Sequence, residues 1–369
     1  MRADRGFVMT RGKAPRFLVA GLLALVAALY VAWTCSAGRA RAATGTHEQN
    51  LQTRRHRRQL SRSWSTVTRF RRPRFRPTRT VDVFTARQFW AAWNRLRPRE
   101  EIDVHGVTFS GEAIFRKSLP GWAEIHFDSR TRFTGTPGSN RPAAWINHCQ
   151  QIRFYGGDLT NPAGGTGVTI SDSSWVTWWN FVIHDTANTA LSVRGIEQPN
   201  THLDLKGQIY HWGLNLALDT HSEKGTGLHG ANLADSTFGI RDSRFALDLH
   251  DGATGAGVEA GGDTGTDYFT HNTLYLRCRN LTKIATRLTA GNCVQLWGIN
   301  VTQNVFRYIR AKNLAGRPFE TSGMRAGQSL DTNRVVYGRA VHTNLNPRVG
   351  PIHWDRRDGT IFKNVSPAP

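Results

Sequence analysis

Between residues 102 and 350 the sequence has no apolar run of helical period long enough to cover a sheet, and that lack excludes a doubly wound α/β fold. Cysteine is scarce: the four, at 35, 149, 278 and 293, have no zinc-ligand spacing, so no metal site is expected from them. Acids are almost missing from the first hundred residues, which carry 22 Lys+Arg against 4 Asp+Glu. The remainder carries 26 against 23 and is nearly neutral, so the net charge of +21 belongs to the N-terminal part. No nucleic-acid recognition motif accompanies that charge, which leaves nucleic acid a poor candidate partner.

The N-terminal part divides in two. Arg2, Arg5, Arg11, Lys13 and Arg16 precede an apolar run from Phe17 to Trp33, and Ala40-Arg41-Ala42 offers a small-x-small cleavage site. Residues 1–42 are therefore expected to be a signal peptide or signal anchor, with the remainder secreted or held on the outer face of the cytoplasmic membrane. Residues 43–83 form an Arg-rich arm; from 39 to 79 there are thirteen arginines and one acid, Glu48. A segment of that composition is expected to stay disordered and to attract anionic envelope polymer or lipid, or to serve simply as a solvated linker. Export permits disulfides, and Cys278 with Cys293 is the plausible pair, leaving Cys149 a buried thiol.

The folded domain is expected over 84–369. Thr85-Ala-Arg-Gln88 reads as a capping box, and Phe89, Trp90, Trp93 and Leu96 line one helical face before Pro98, a short amphipathic helix suited to plugging the open end of a solenoid. After it come short alternating strands broken by Gly, Asn and Asp: Ile102-Asp-Val-His-Gly-Val-Thr-Phe, Ala123-Glu-Ile-His-Phe, Ile152-Arg-Phe-Tyr-Gly-Gly-Asp-Leu and Trp175-Val-Thr-Trp-Trp-Asn-Phe-Val-Ile.

One pattern organises the rest. Ala256-Gly257-Val258-Glu259-Ala260-Gly261-Gly262-Asp263 returns as Gly227-Leu228-His229-Gly230, as Cys293-Val294-Gln295-Leu296-Trp297-Gly298 and as Gly323-Met324-Arg325-Ala326-Gly327, with weaker copies at Val168-Thr169-Ile170 and Leu191-Ser192-Val193. Strand side chains alternate faces, so the apolar members point inward and Thr169, Ser192, His229, Glu259, Gln295 and Arg325 form an outward row. Gaps of 23 to 37 residues suit one turn of a parallel β-helix each. Residues 102 to about 350 resemble the right-handed parallel β-helix proteins of the pectate-lyase-like superfamily. The resemblance covers texture and period; neither the paired-Asp, Gly-His-Gly and Arg-x-Lys set of polygalacturonases nor the calcium-binding Asp cluster of pectate lyases is present. It implies an all-β single-stranded β-helix and activity on extracellular polysaccharide. No cofactor is expected, and calcium has no motif to support it.

Neighbouring rungs lie roughly 4.8 Å apart, which makes Glu259 a candidate general acid or base beside His229. Glycoside hydrolysis usually requires a second carboxyl group, for which Asp219 and then Asp251 are the candidates. Gln295, Arg325, Lys224, Trp212, Trp297 and Asp263 are the expected substrate-binding residues. Each also has a plain structural alternative: Glu259 as a solvated rung residue, the aspartates as turn formers, the tryptophans as core. The leading expectation is a monomeric glycoside hydrolase. A lyase acting on a uronic acid glycan, with Arg325, Lys224 and His229 in the main roles, is the alternative, and a non-catalytic wall-binding solenoid is the third.

Overall fold

The computed structural model describes residues 70, 73–214, 229–233, 237–252, 255–262, 268–281, 291–298, 300–321, 333–345, 354, 360–363 and 365–366. The chain divides into two units at Arg72 and Pro73, and every element below belongs to the second. The apolar run Phe17 to Trp33 and, Phe70 apart, the Arg-rich arm as far as Arg72 lie outside the described residues, whereas Arg79–Val83, expected within the disordered arm, is a strand paired in parallel with Glu100–Val104. Among those described, no helix is long and apolar enough to cross a membrane.

The chain coils into a parallel β-helix. Each coil contributes a strand to a short sheet whose members stack in sequence order: Ala113–Phe115, Ala144–Asn147, Val168–Ser171, Leu191–Arg194, Ala231–Leu233, Val258–Gly262, Val294–Gly298 and Phe319–Thr321. The other strands form one long sheet, including Glu100–Val104, Ser118–Thr134, Gln150–Asn161, Ser174–Thr186, Asp204–Tyr210, Arg244–His250, Thr273–Leu281, Val305–Leu314 and Gly338–Val341. The pairings are parallel.

Alternation sets which side chains fill the coil. On the long sheet Ile125, Phe154, Trp178, Leu205, Phe245, Leu274, Phe306 and Val335 occupy one register position and are buried. On the short sheet Ile146, Ile170, Val193, Leu233, Ala260 and Leu296 do the same. Stacking of like on like gives one continuous apolar column per face. At one corner of the coil Asn272, Asn304 and Asn333 are buried and stacked. The Asn304 side-chain amide donates to Phe269 O at 2.6 Å and to Asn333 Oδ1 at 3.0 Å, while its Oδ1 accepts the Asn272 N–H at 3.0 Å, so buried backbone at each turn is satisfied from the next.

The N-terminal end is closed as its sequence implies. Ala86–Arg95 is a helix; Thr85 Oγ1 accepts the Gln88 N–H at 3.2 Å and Gln88 Oε1 accepts the Phe84 N–H at 2.9 Å, a reciprocal cap. Its Phe89 ring packs edge-on against Phe109 and Phe115, and Trp93 lies against Phe115 and Phe154, so the helix lays aromatic rings over the exposed end of the core. Cys278 and Cys293 form a disulfide joining the two sheets within one coil, and Cys149 is a buried thiol whose pKa burial pushes up to about 12.

Two expected rungs differ from the structure. Glu259 does pair with Gln295, and Thr169 with Ser192, but the rung between Ser192 and Glu259 is Asn232, and the one after Gln295 is Glu320. The strand is Ala231–Leu233 rather than the segment around His229, because Gly230 sits where a Cβ would meet Leu249 Cδ2 at 2.6 Å and Gly257 O at 2.7 Å, while Ala231 and Leu233 supply the inward apolar pair. Likewise Phe319, fully buried, anchors the last strand; Arg325 lies outside the described residues. Replacing Cys278 and Cys293 together by alanine is expected to lower the unfolding free energy by about 3 kcal/mol, as for a closed loop of this size, measured by urea denaturation under non-reducing conditions.

Candidate active site

The row around Glu259 is closed to solvent. Glu259 is 1% exposed, His229 1% and Gln295 5%. The Ala256 N–H donates to His229 Nδ1 at 3.1 Å, so the imidazole carries its proton on Nε2, which is paired with Glu259 Oε2. Burial pushes the His229 pKa down to about 3, in keeping with a neutral ring. The His229 N–H donates to Thr189 Oγ1 at 3.2 Å. The pair ties one coil to the next from within, and the expectation that Glu259 and His229 meet substrate in an open row is corrected accordingly.

The other expected residues do not gather around it. Trp212 is fully buried and packs where a Cβ on Gly252 would clash with its ring, so it is core rather than a sugar platform. Asp251 follows the long-sheet strand Arg244–His250, on a different sheet from Glu259. Asp219, Lys224 and Asp263 lie outside the described residues, as does the side chain of Trp297, whose backbone pairs with Gly261.

The long sheet carries a different constellation. In register, one outward position per coil reads Thr160, His184, Tyr210, His250, Arg279 and Lys312. The Tyr210 ring is stacked between His184, with centroids 5.1 Å apart, and His250, 5.0 Å apart. From His184 onward the residue after each of these positions turns left-handed, at Asp185, His211, Asp251, Asn280 and Asn313, with φ between 49° and 55°. That turn brings an acceptor back to the column: His184 Nδ1 lies 2.6 Å from Asp185 Oδ2, and His250 Nδ1 lies 2.7 Å from Asp251 Oδ2. Asn280 donates to Asp251 Oδ1 at 3.0 Å and accepts from Asn313 at 3.0 Å, extending the ladder over two further coils.

Their surroundings push the two histidines in opposite directions. His184 also contacts Asp158 Oδ1 through Nε2 at 2.7 Å, so both of its nitrogens face carboxylates. Burial alone would lower its pKa, but the two hydrogen bonds and charges outweigh it and raise the pKa to about 9. Asp185 is opposed by burial yet held well below the usual carboxylate range by His184 and His211. At His250 burial is the larger effect and lowers the pKa despite Asp251, so this ring is neutral near pH 7 with Nδ1–H given to the carboxylate.

No protein-family model matches the chain, and no curated protein matches it in sequence. Among solved structures it is similar to an alginate lyase from Paenibacillus sp. str. FPU-7, with 14% identity over 79% of this chain and 96% of that one and a TM-score of 0.37. It is similar also to the pectate lyase Pel9A, with 15% identity over 76% and 79% of the two chains and a TM-score of 0.47. A third likeness is to ORF18 of Geobacillus virus E2, with 11% identity over 76% and 56% of the chains and a TM-score of 0.43.

A second cluster, Glu101, Glu124 and His126, has the donor atoms for a cation. Arg153 already lies on Glu124 Oε1 at 3.0 Å, and the Tyr155 hydroxyl donates to the same oxygen at 3.4 Å. The guanidinium therefore occupies Glu124 and offsets one of the two carboxylates. The His184–Tyr210–His250 column was missed by sequence reasoning, although a signal existed. Val182-Ile-His184-Asp185, Gln208-Ile-Tyr210-His211, Asp248-Leu-His250-Asp251, Arg277-Cys-Arg279-Asn280 and Arg310-Ala-Lys312-Asn313 repeat one four-residue pattern.

Glu259→Ala is expected to lower stability by about 2 kcal/mol in urea unfolding, because the His229 Nε2–H is left buried without its acceptor. The stabilisation from neutral His229 is present above pH 6.5 and is lost as pH falls, since the unfolded chain binds the extra proton first. For His184 the sign is opposite. Its contribution is complete below pH 6.5 and is lost as pH rises through about 9, and imidazole NMR titration of this ring is expected to give a midpoint near that value.

Proposed function

We propose that the chain is a polysaccharide lyase that cleaves a uronic acid glycan by β-elimination at the His184–Tyr210–His250–Arg279 column. The observation that carries this reading is a tyrosine ring stacked between two histidines, with an arginine and a lysine on the next two rungs. Arg279 and Lys312 would hold the uronate carboxylate and so acidify the C5–H bond. His250 Nε2 takes that proton, and its electron pair forms the C4=C5 double bond as the C4–O4 bond breaks. The Tyr210 hydroxyl protonates the departing O4, and the His184 imidazolium stacked on the ring stabilises the phenolate left behind. Proton return from His250 through water resets the pair.

Tyr210 is 6% and His250 4% exposed, so the polymer has to part what covers these rings before chemistry can occur. That burial is also the observation that favours a second reading, a solenoid that binds wall polysaccharide without cutting it. Hydrolysis is the weaker reading, because Glu259 is paired and covered. The proposal includes export or envelope anchoring through residues 1–42, with the arm at 43–83 attracted to anionic envelope polymer or lipid.

Purified full-length protein is to be incubated with a panel of polyuronates and neutral glycans, with calcium or with chelator. A rise in ultraviolet absorbance from the unsaturated product is expected for a polyuronate. Tyr210→Phe and His250→Asn are expected to lower kcat by roughly a hundredfold or more while preserving the fold. New reducing ends without absorbance would restore the hydrolase; retention of polymer with neither would leave the binding solenoid.

A further inference from the structure

Three outward positions on consecutive coils toward the C-terminus carry repeated chemistry. In one register column Tyr275 is followed by Tyr308, with Tyr337 stacked on Tyr308 at 5.1 Å and 7°. Two residues along the same strands, Arg277, Arg310 and Arg339 stand directly opposite one another. Two residues further, Arg279 faces Lys312. An aromatic column, an arginine column over three rungs and a second cationic column over two thus run side by side along the helix axis.

Like charges in register roughly 4.8 Å apart repel, and sheets normally avoid them. Here, among the described residues, Asp248 is the carboxylate paired with this group of five cations. Buried Asp248 lies 3.7 Å from Arg277 and 3.3 Å from Arg279, both toward the edge of the strip. Arg310, Lys312 and Arg339 are exposed and, among the described residues, have no acidic partner. Burial lowers the Arg277 pKa, Asp248 opposes this, and Arg279 and Arg310 lower it further, so the repulsion is felt at that guanidinium. A fold that keeps such a row without internal compensation leaves the compensation to a ligand of opposite charge.

We infer that the outer face of Thr273–Leu281, Val305–Leu314 and Gly338–Val341 is a docking strip for a linear polyuronate. The chain would run along the helix axis, with successive carboxylates on Arg277, Arg310 and Arg339 and its sugar rings beside the outward edges of Tyr308 and Tyr337, whose faces are turned to each other. A planar guanidinium grips a carboxylate through two parallel hydrogen bonds, and the tyrosine ring edges offer apolar contact beside it. The rung spacing is close to the length of one sugar residue, so neighbouring contacts add along one polymer. The inference extends the lyase reading, since Arg279 and Lys312 belong to both the strip and the proposed site, yet its readout is binding.

The test titrates the full chain by calorimetry with oligogalacturonates of increasing length, with their methyl-esterified forms, and with single-stranded DNA of matched length. Affinity for the acid oligomers is expected to rise with length and to fall at least tenfold in Arg310→Gln/Arg339→Gln and in Tyr308→Ala/Tyr337→Ala. The charge-matched control Arg87→Gln/Arg241→Gln, which shares the Arg-rich arm, is expected to bind like the parent. Arg310→Gln/Arg339→Gln should melt no lower than the parent, because it removes repulsion. The strip is refuted if the control loses as much affinity as the strip variant, if esterified oligomers bind equally well, or if DNA binds more tightly. Binding that follows these expectations without unsaturated product overturns the lyase and leaves the strip. Product formation with unchanged KM in Arg310→Gln/Arg339→Gln does the reverse.

Discussion

Everything in this molecule depends on parallel strands pairing in register, coil upon coil. With strand spacing set by backbone hydrogen bonds, a residue has no choice about its neighbours above and below; it meets whatever occupies the same position in the preceding and following turns. Apolar residues at one position therefore become a core column. A tyrosine becomes a ring between two histidines, and arginines become a row. Hydrogen bonding supplies the spacing, and the side chains supply the chemistry.

The same rule explains why the two sheets differ. The short-sheet strands offer few outward positions, and the one holding Glu259 is closed by a neutral histidine whose other nitrogen accepts a backbone N–H. Such a pair satisfies buried polar groups and leaves no ready proton for outside use. On the long sheet the strands run further and end in a left-handed residue, which returns a carboxylate or amide to the rung beside it. Those returning side chains set the charge of His184 and His250.

Much of the architecture was legible in the sequence. The capping box, the plug helix, the Cys278–Cys293 pair and the inward columns all follow from local chemistry and alternation. Register on the short sheet was legible for Thr169–Ser192 and for Glu259–Gln295. It slipped at His229 and Arg325 because apolar-polar-apolar triplets are common, and only the close approach around Gly230 and the buried Phe319 separate the true strand from its imitation. The candidate site escaped notice for another reason. A motif spread one residue per coil looks like scattered histidines and arginines in linear order, and the bulges near Lys206 and Tyr275 disturb the period that would align them.

The disulfide between Cys278 and Cys293 lies in the coil where the histidine column gives way to the cationic rows. A stack held by nearest-neighbour pairing can fray inward from either terminus, each lost turn exposing the next. A covalent weld across one turn interrupts that progression, because its two walls cannot part even when hydrogen bonds above or below have gone. Loosening that begins at the last turns would thus halt at this clasp, leaving the histidine-bearing half wound.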